Sequence, residues 1–119
     1  MNERKTNPPF LNGVPEMLIL QTLVRRPMYG YELVQAIRTA AAEELTFGEG
    51  CIYPILHRLE AQGLLTSSKD AASGRVRVVY RTTPRGKAQL AQSISNWQRV
   101  TQAVEQVLQG GGRGRTALA

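Results

Sequence analysis

The patterned part of the chain opens on a dense apolar run: Val14, Met17, Leu18, Ile19, Leu20, Leu23 and Val24. Apolar side chains on most sides of one helical wheel predict a buried helix over 14–24. Pro15 suits a first helical turn, and Arg25-Arg26-Pro27 ends the run with two cations beside the helix's negative end. A second helix is predicted over 30–42, where Leu33, Val34, Ile37 and Ala41 make one stripe. Gly48 and Gly50 break the pattern around Phe47, and residues 43–48 read as a turn. A third helix follows over 49–62. Its Ile52, Ile55, Leu56 and Leu59 recur at i, i+3, i+4 and i+7, a single buried face. Pro54 is expected in or near its first turn, and Gly63 at its C-terminal cap.

The period then shortens. Residues 64–68 read as a strand and 70–74 as a turn. Over 75–82 the chain alternates, with Val76, Val78, Tyr80 and Thr82 on one face and Arg75, Arg77, Val79 and Arg81 on the other. A hairpin is the simplest account. Thr83-Pro84 is an N-cap followed by proline at the first helical position. The long helix it starts runs over 84–109, roughly 39 Å at 1.5 Å per residue, and Gly110-Gly111-Gly112 stops it. The fold class expected is mostly α with a small β-hairpin: a winged helix-turn-helix over 11–83 and a long C-terminal dimerisation helix over 84–109. Residues 1–10 are expected to form a flexible arm and 110–119 a disordered tail.

Composition narrows the function. The chain has 119 residues, 42% of them hydrophobic and 20% charged, enough for one domain with a core. No run of roughly 18 apolar residues could span a membrane. The polar start, Met1 to Pro9, lacks a signal-like apolar stretch, so a cytoplasmic location is the default expectation. Fifteen Lys and Arg oppose nine Asp and Glu, a net charge of +6 that favours a polyanionic partner. The excess is concentrated in the second half. There Lys69, Arg75, Arg77, Arg81, Arg85 and Lys87 face only Asp70 across the hairpin region. One cysteine and one histidine give neither a disulfide nor a metal site, and no cofactor is implied. Without paired carboxylates or a nucleophile–base set, the chain reads as no enzyme.

The third helix carries Tyr53, His57 and Glu60 at i, i+4 and i+7 on its polar side, with Arg58 beside them. A helix of that make-up fits a major groove about 12 Å wide, although an ordinary solvated face would look similar. The like-signed row Arg75, Arg77 and Arg81, with Lys69 on the other arm, suits phosphate or narrow minor-groove contact; a basic edge that discourages strand pairing is the bland reading. Along the last helix Leu90, Ile94, Trp97, Thr101, Val104 and Leu108 are spaced 4, 3, 4, 3, 4, an a/d seam. A second copy of the chain would cover it, and the chain's own first helix is expected to cover part. Trp97 is either an anchor of that interface or the lining of a cavity at its centre. Cys51 is either a redox-sensitive thiol or an inert one.

Met28-Tyr29-Gly30-Tyr31-Glu32-Leu33 resembles the Gly-Tyr-Glu signature of the PadR-like transcriptional regulators. The segment from Gly48 to Glu60 with Gly63-Leu64-Leu65 is similar to that family's Glu-Gly-Ser/Thr-Leu-Tyr-Pro-x-Leu-x-Arg-Leu-Glu…Gly-Leu stretch. Gly74-Arg75-x-Arg77-x-x-Tyr80-x-x-Thr83-x-x-Gly86 matches its wing and the start of the following helix. The likeness spans about Leu11 to Leu108. It implies a homodimeric winged-helix repressor that reads a pseudo-palindromic double-stranded operator. Tyr53 takes the place of the recognition-helix tyrosine that faces the DNA backbone, Tyr31 that of the second-helix tyrosine, and Arg75 and Arg77 those of the wing cations. Cys51 departs from the usual Ser or Thr, and Ile52 from Leu. Some drug-responsive members stack a planar aromatic effector on a tryptophan of this last helix, and the resemblance allows the same role for Trp97. The DNA-facing set is thus Tyr31, Gly50, Cys51, Tyr53, His57, Arg58, Lys69, Arg75, Arg77 and Arg81. The rival reading is a winged-helix module that binds a ligand or a protein and does not read DNA.

Overall fold

The computed structural model describes residues 9–72 and 74–110. The arm and tail expected at the ends lie mostly outside that range. The elements run α1 Pro9–Arg25, β1 Met28–Tyr29, α2 Gly30–Ala40, α3 Glu49–Ala61, β2 Leu65–Asp70, β3 Arg77–Thr82 and α4 Pro84–Leu108. Helix α1 is the hub and packs against α2, α3, α4 and β3. Ile19, Leu20, Leu33, Ile52, Leu56, Leu59 and Leu65 are all but sealed from solvent. Each such side chain contributes about 2 kcal/mol on burial. The exposed Arg58–Glu16 ion pair between α3 and α1 adds well under about 1 kcal/mol. The apolar stripes therefore hold the helices together, and the ion pair only trims their register.

Two expectations about proline are corrected. Pro15 is the seventh residue of α1, because the helix starts at Pro9 and not at Val14. Pro54 is the sixth residue of α3, in its second turn. Each forgoes one backbone hydrogen bond; in α3 the carbonyl left without its donor belongs to exposed Gly50.

The hairpin is part of a three-stranded antiparallel sheet in the order β1-β3-β2. Met28 pairs with Tyr80 and Tyr29 with Val79, while β2 and β3 run in register from Leu65↔Thr82 to Asp70↔Arg77. Leu65, Tyr80 and Met28 are buried. Past them the hairpin outruns the helices, so Val78 and Val76 are exposed although they continue the same row. The second strand starts at Arg77, which leaves Arg75 in the connecting loop and not on the strand.

Helix α3 ends as expected. Gly63 has φ +79°, and the Leu64 N–H reaches the Leu59 carbonyl at 2.9 Å, a Schellman close that glycine permits. The end of α2 is less relaxed. Ala42 and Glu43 have φ of 52° and 64°, a left-handed pair with no glycine. Ala42→Gly is expected to raise stability by about 0.5–1 kcal/mol, the relieved strain exceeding the added chain entropy. The midpoint of urea unfolding checks this; a fall would mean that the turn is unstrained.

Candidate nucleic-acid interface

Three consecutive residues at the start of α2 assemble the site. Tyr29, in β1, lies under the guanidinium of Arg77, whose carbon is 4.4 Å from the ring centroid. Gly30 is buried, and a Cβ there would come within 2.4 Å of the Tyr53 hydroxyl. The Tyr53 phenol therefore rests on bare backbone, which only glycine offers. Tyr31 is exposed and shares a shallow cleft with Arg75, Val76 and Arg77. The Tyr29 N–H donates to Glu32 Oε1 at 3.2 Å, and this closes the first turn of α2.

On α3, Gly50, Cys51 and His57 are exposed, and Cys51 is a free thiol. Tyr53 is half-buried, with its ring centroid 6.5 Å from that of His57 at an angle of 44°. Beneath them the buried Tyr80 phenol has its pKa raised by desolvation first, and then by the Glu60 carboxylate and by Tyr53. Glu60 does not join this exposed set. Its carboxylate accepts a hydrogen bond from Ser67 Oγ at 2.6 Å and fastens α3 to β2. Arg58 is also turned away, paired with Glu16 of α1.

The wing cations do not form one row. The cross-strand register puts Arg77 and Arg81 on the outer face of the sheet, with Asp70, Ser68 and Thr66. Lys69 is on the opposite face with Val78 and Ser67, the face that meets α3. Arg75 stands in the loop beside Tyr31. Arg81, at the root of the hairpin, shares its cleft with Pro27, Glu32 and Asp70. Sequence reasoning missed Tyr29 and Gly30 as site residues, although a Tyr-Gly-Tyr cap between two predicted helices was the available signal.

The seam of α4 is divided. Leu90 is buried in the chain's own core and Ile94 packs against it. Trp97 and Thr101 are half-buried, and the Thr101 hydroxyl donates to the Trp97 carbonyl at 3.0 Å. Val104, Val107 and Leu108 are exposed by 46%, 74% and 75%.

A helix-turn-helix with a hairpin wing and a long trailing helix is the architecture of winged-helix transcriptional regulators. The chain belongs to the PadR-like family of transcriptional regulators, whose family model matches residues 19–92. Its fold is similar to that of a transcriptional regulator from Clostridium thermocellum, with a TM-score of 0.76 and 26% identity over 84% of this chain and 95% of that one. It is also similar to a PadR family transcriptional regulator from Eggerthella lenta, with a TM-score of 0.71 and 32% identity over 84% and 85% of the two chains. A transcriptional regulator of Mycobacterium tuberculosis is 56% identical over 43 residues, 36% of this chain and 40% of that protein. The chain is thus a transcriptional regulator and not an enzyme, in a family that binds DNA. Among the described residues no helix is long and apolar enough to cross a membrane.

Proposed function

We propose that the chain acts as a homodimeric repressor that reads a pseudo-palindromic double-stranded operator. One observation carries this: Tyr29, Gly30 and Tyr31 bind the α3 face and the wing loop into one surface. The exposed α3 residues enter the major groove, and two copies reach half-sites about 34 Å apart. Tyr53 and Tyr31 donate to the backbone, while Lys69 and Arg75 contact phosphate. Arg81 is left out of the contact set, because it stands on the outer face at the root of the hairpin, and Arg58 because Glu16 holds it. Repression is what occupancy alone delivers, since a dimer across two turns of a promoter excludes polymerase. The seam residue Trp97 is where a planar aromatic effector would stack between copies.

The test is a titration with genomic duplex fragments at several salt concentrations. The wild-type chain is expected to select a two-half-site sequence. Lys69→Ala with Arg75→Ala is expected to weaken every duplex alike and to flatten the salt slope by about 0.9 for each phosphate no longer neutralised. Binding to no duplex, or a slope that the double variant leaves unchanged, overturns the proposal.

A further inference from the structure

The resemblance implies that Arg77 is a wing cation for DNA. The geometry points to another role, that of a positioning residue: latched on Tyr29, Arg77 fixes the wing against the start of the helix-turn-helix. The inference rests on the duplex-binding reading above and deepens it.

Four observations meet at this guanidinium. Its carbon is 4.4 Å from the Tyr29 ring centroid, within cation–π range. Arg77 is half-buried, whereas Arg75, Arg81 and Lys69 are exposed. Tyr29 pairs with Val79, so Arg77 is its diagonal cross-strand neighbour and the contact is built into the β1–β3 register. Asp70 stands directly opposite Arg77 in the β2–β3 register, and Glu32, ion-paired with Arg26, lines the same cleft. Tyr29 is also where its own N–H meets Glu32 at the first turn of α2. The next residue, Gly30, seats Tyr53. A short path therefore links the wing strand, through one ring and one glycine, to the groove-facing phenol. With β1 only two residues long, few backbone bonds hold this edge, and the stacked pair sets the wing's angle.

A phosphate-binding cation and a latch differ in what they do to salt dependence and additivity. A latch acts through preorganisation, so removing either partner costs the same affinity and removing both costs no more. Removing one phosphate-binding cation from each protomer of a dimer lowers the salt slope by about 1.8. The variants are Tyr29→Leu, Tyr29→Phe, Arg77→Met and the Tyr29→Leu/Arg77→Met double. Duplex affinity is read by anisotropy from low to moderate salt, and hydrogen exchange is read over residues 77–82 of the free protein.

Tyr29→Leu and Arg77→Met are each expected to weaken binding about five-fold, with the double variant no worse than the weaker single. Tyr29→Phe keeps the ring face and is expected to bind like wild type. The salt slope is expected to fall by less than about 0.9 in Arg77→Met. Exchange over 77–82 is expected to accelerate in both single variants, because the strand loses its tether. Single losses that multiply, a slope fall above about 0.9, or a Tyr29→Leu variant that binds as wild type overturns the latch. If the wild-type chain binds no duplex, the functional reading fails by itself and hydrogen exchange decides the latch: faster exchange in Tyr29→Leu upholds it, and unchanged exchange overturns it.

Discussion

Gly86→Ala is expected to cost about 3 kcal/mol of stability, although alanine is the better helix former by about 1 kcal/mol. A Cβ at Gly86 would meet the Leu64 carbonyl oxygen at 2.2 Å and the Thr82 methyl at 2.7 Å. The oxygen belongs to backbone that is already engaged, since it accepts from the Thr83 N–H at 3.1 Å. Thr83 Oγ1 meanwhile accepts from the Gly86 N–H at 3.0 Å and donates to the Gly63 carbonyl at 2.7 Å. The N-cap of α4, the close of α3 and the start of β2 are thus one joint. Relief of the clash must lift α4 and break one or two of these bonds, at about 1 kcal/mol each, on top of about 1–3 kcal/mol for overpacking. Urea unfolding at fixed protomer concentration measures the loss. Gly50→Ala is the control, because nothing lies within 4 Å of a Cβ there, and it is expected to be neutral or stabilising. A gain in the Gly86 variant would show that α4 does not seat on Leu64.

That joint was partly legible in the sequence. The cap Thr83-Pro84, the stop at Gly63 and the stripe Ile52, Ile55, Leu56 and Leu59 are local signals, readable because each element states its own period and ends. What could not be read depends on residues distant in sequence. Strand β1 has two residues, too few for any period, and exists only because β3 offers it an edge. Arg58 reads as groove-facing on its own helix, but its partner Glu16 is 42 residues away. The alternation of Arg77, Val79 and Arg81 was visible in one strand. The face of Lys69 depends on the register across the turn, and β2 runs on to Asp70, past the strand end expected at Ser68. Likewise Gly30 reads as a helix start, and only the packed structure reveals that it is a seat for Tyr53.

Val104→Asp with Leu108→Asp is expected to turn the proposed dimer into a folded monomer and to lower affinity for a two-half-site duplex by at least a hundredfold. Among the described residues the buried core of the domain ends at Leu90, with Ile94 packed on it, and Val104, Val107 and Leu108 lie beyond it. They form an apolar seam that is about half exposed at Val104 and three-quarters exposed at Val107 and Leu108. A second copy laid along it would bury those groups in a coiled-coil-like contact. Two aspartates per chain put four like charges into that contact, where neither solvation nor a counter-charge is at hand. A monomer then meets each half-site alone and loses the effective-concentration gain of linked sites, worth about 10²–10⁴. Sedimentation at micromolar protomer should show the halved mass, while circular dichroism keeps the helical signal. Affinity for a single half-site should stay at the wild-type value, because α3 and the wing are untouched. A variant that sediments like wild type, or that loses single-site affinity as well, would overturn the proposed dimer contact at this seam.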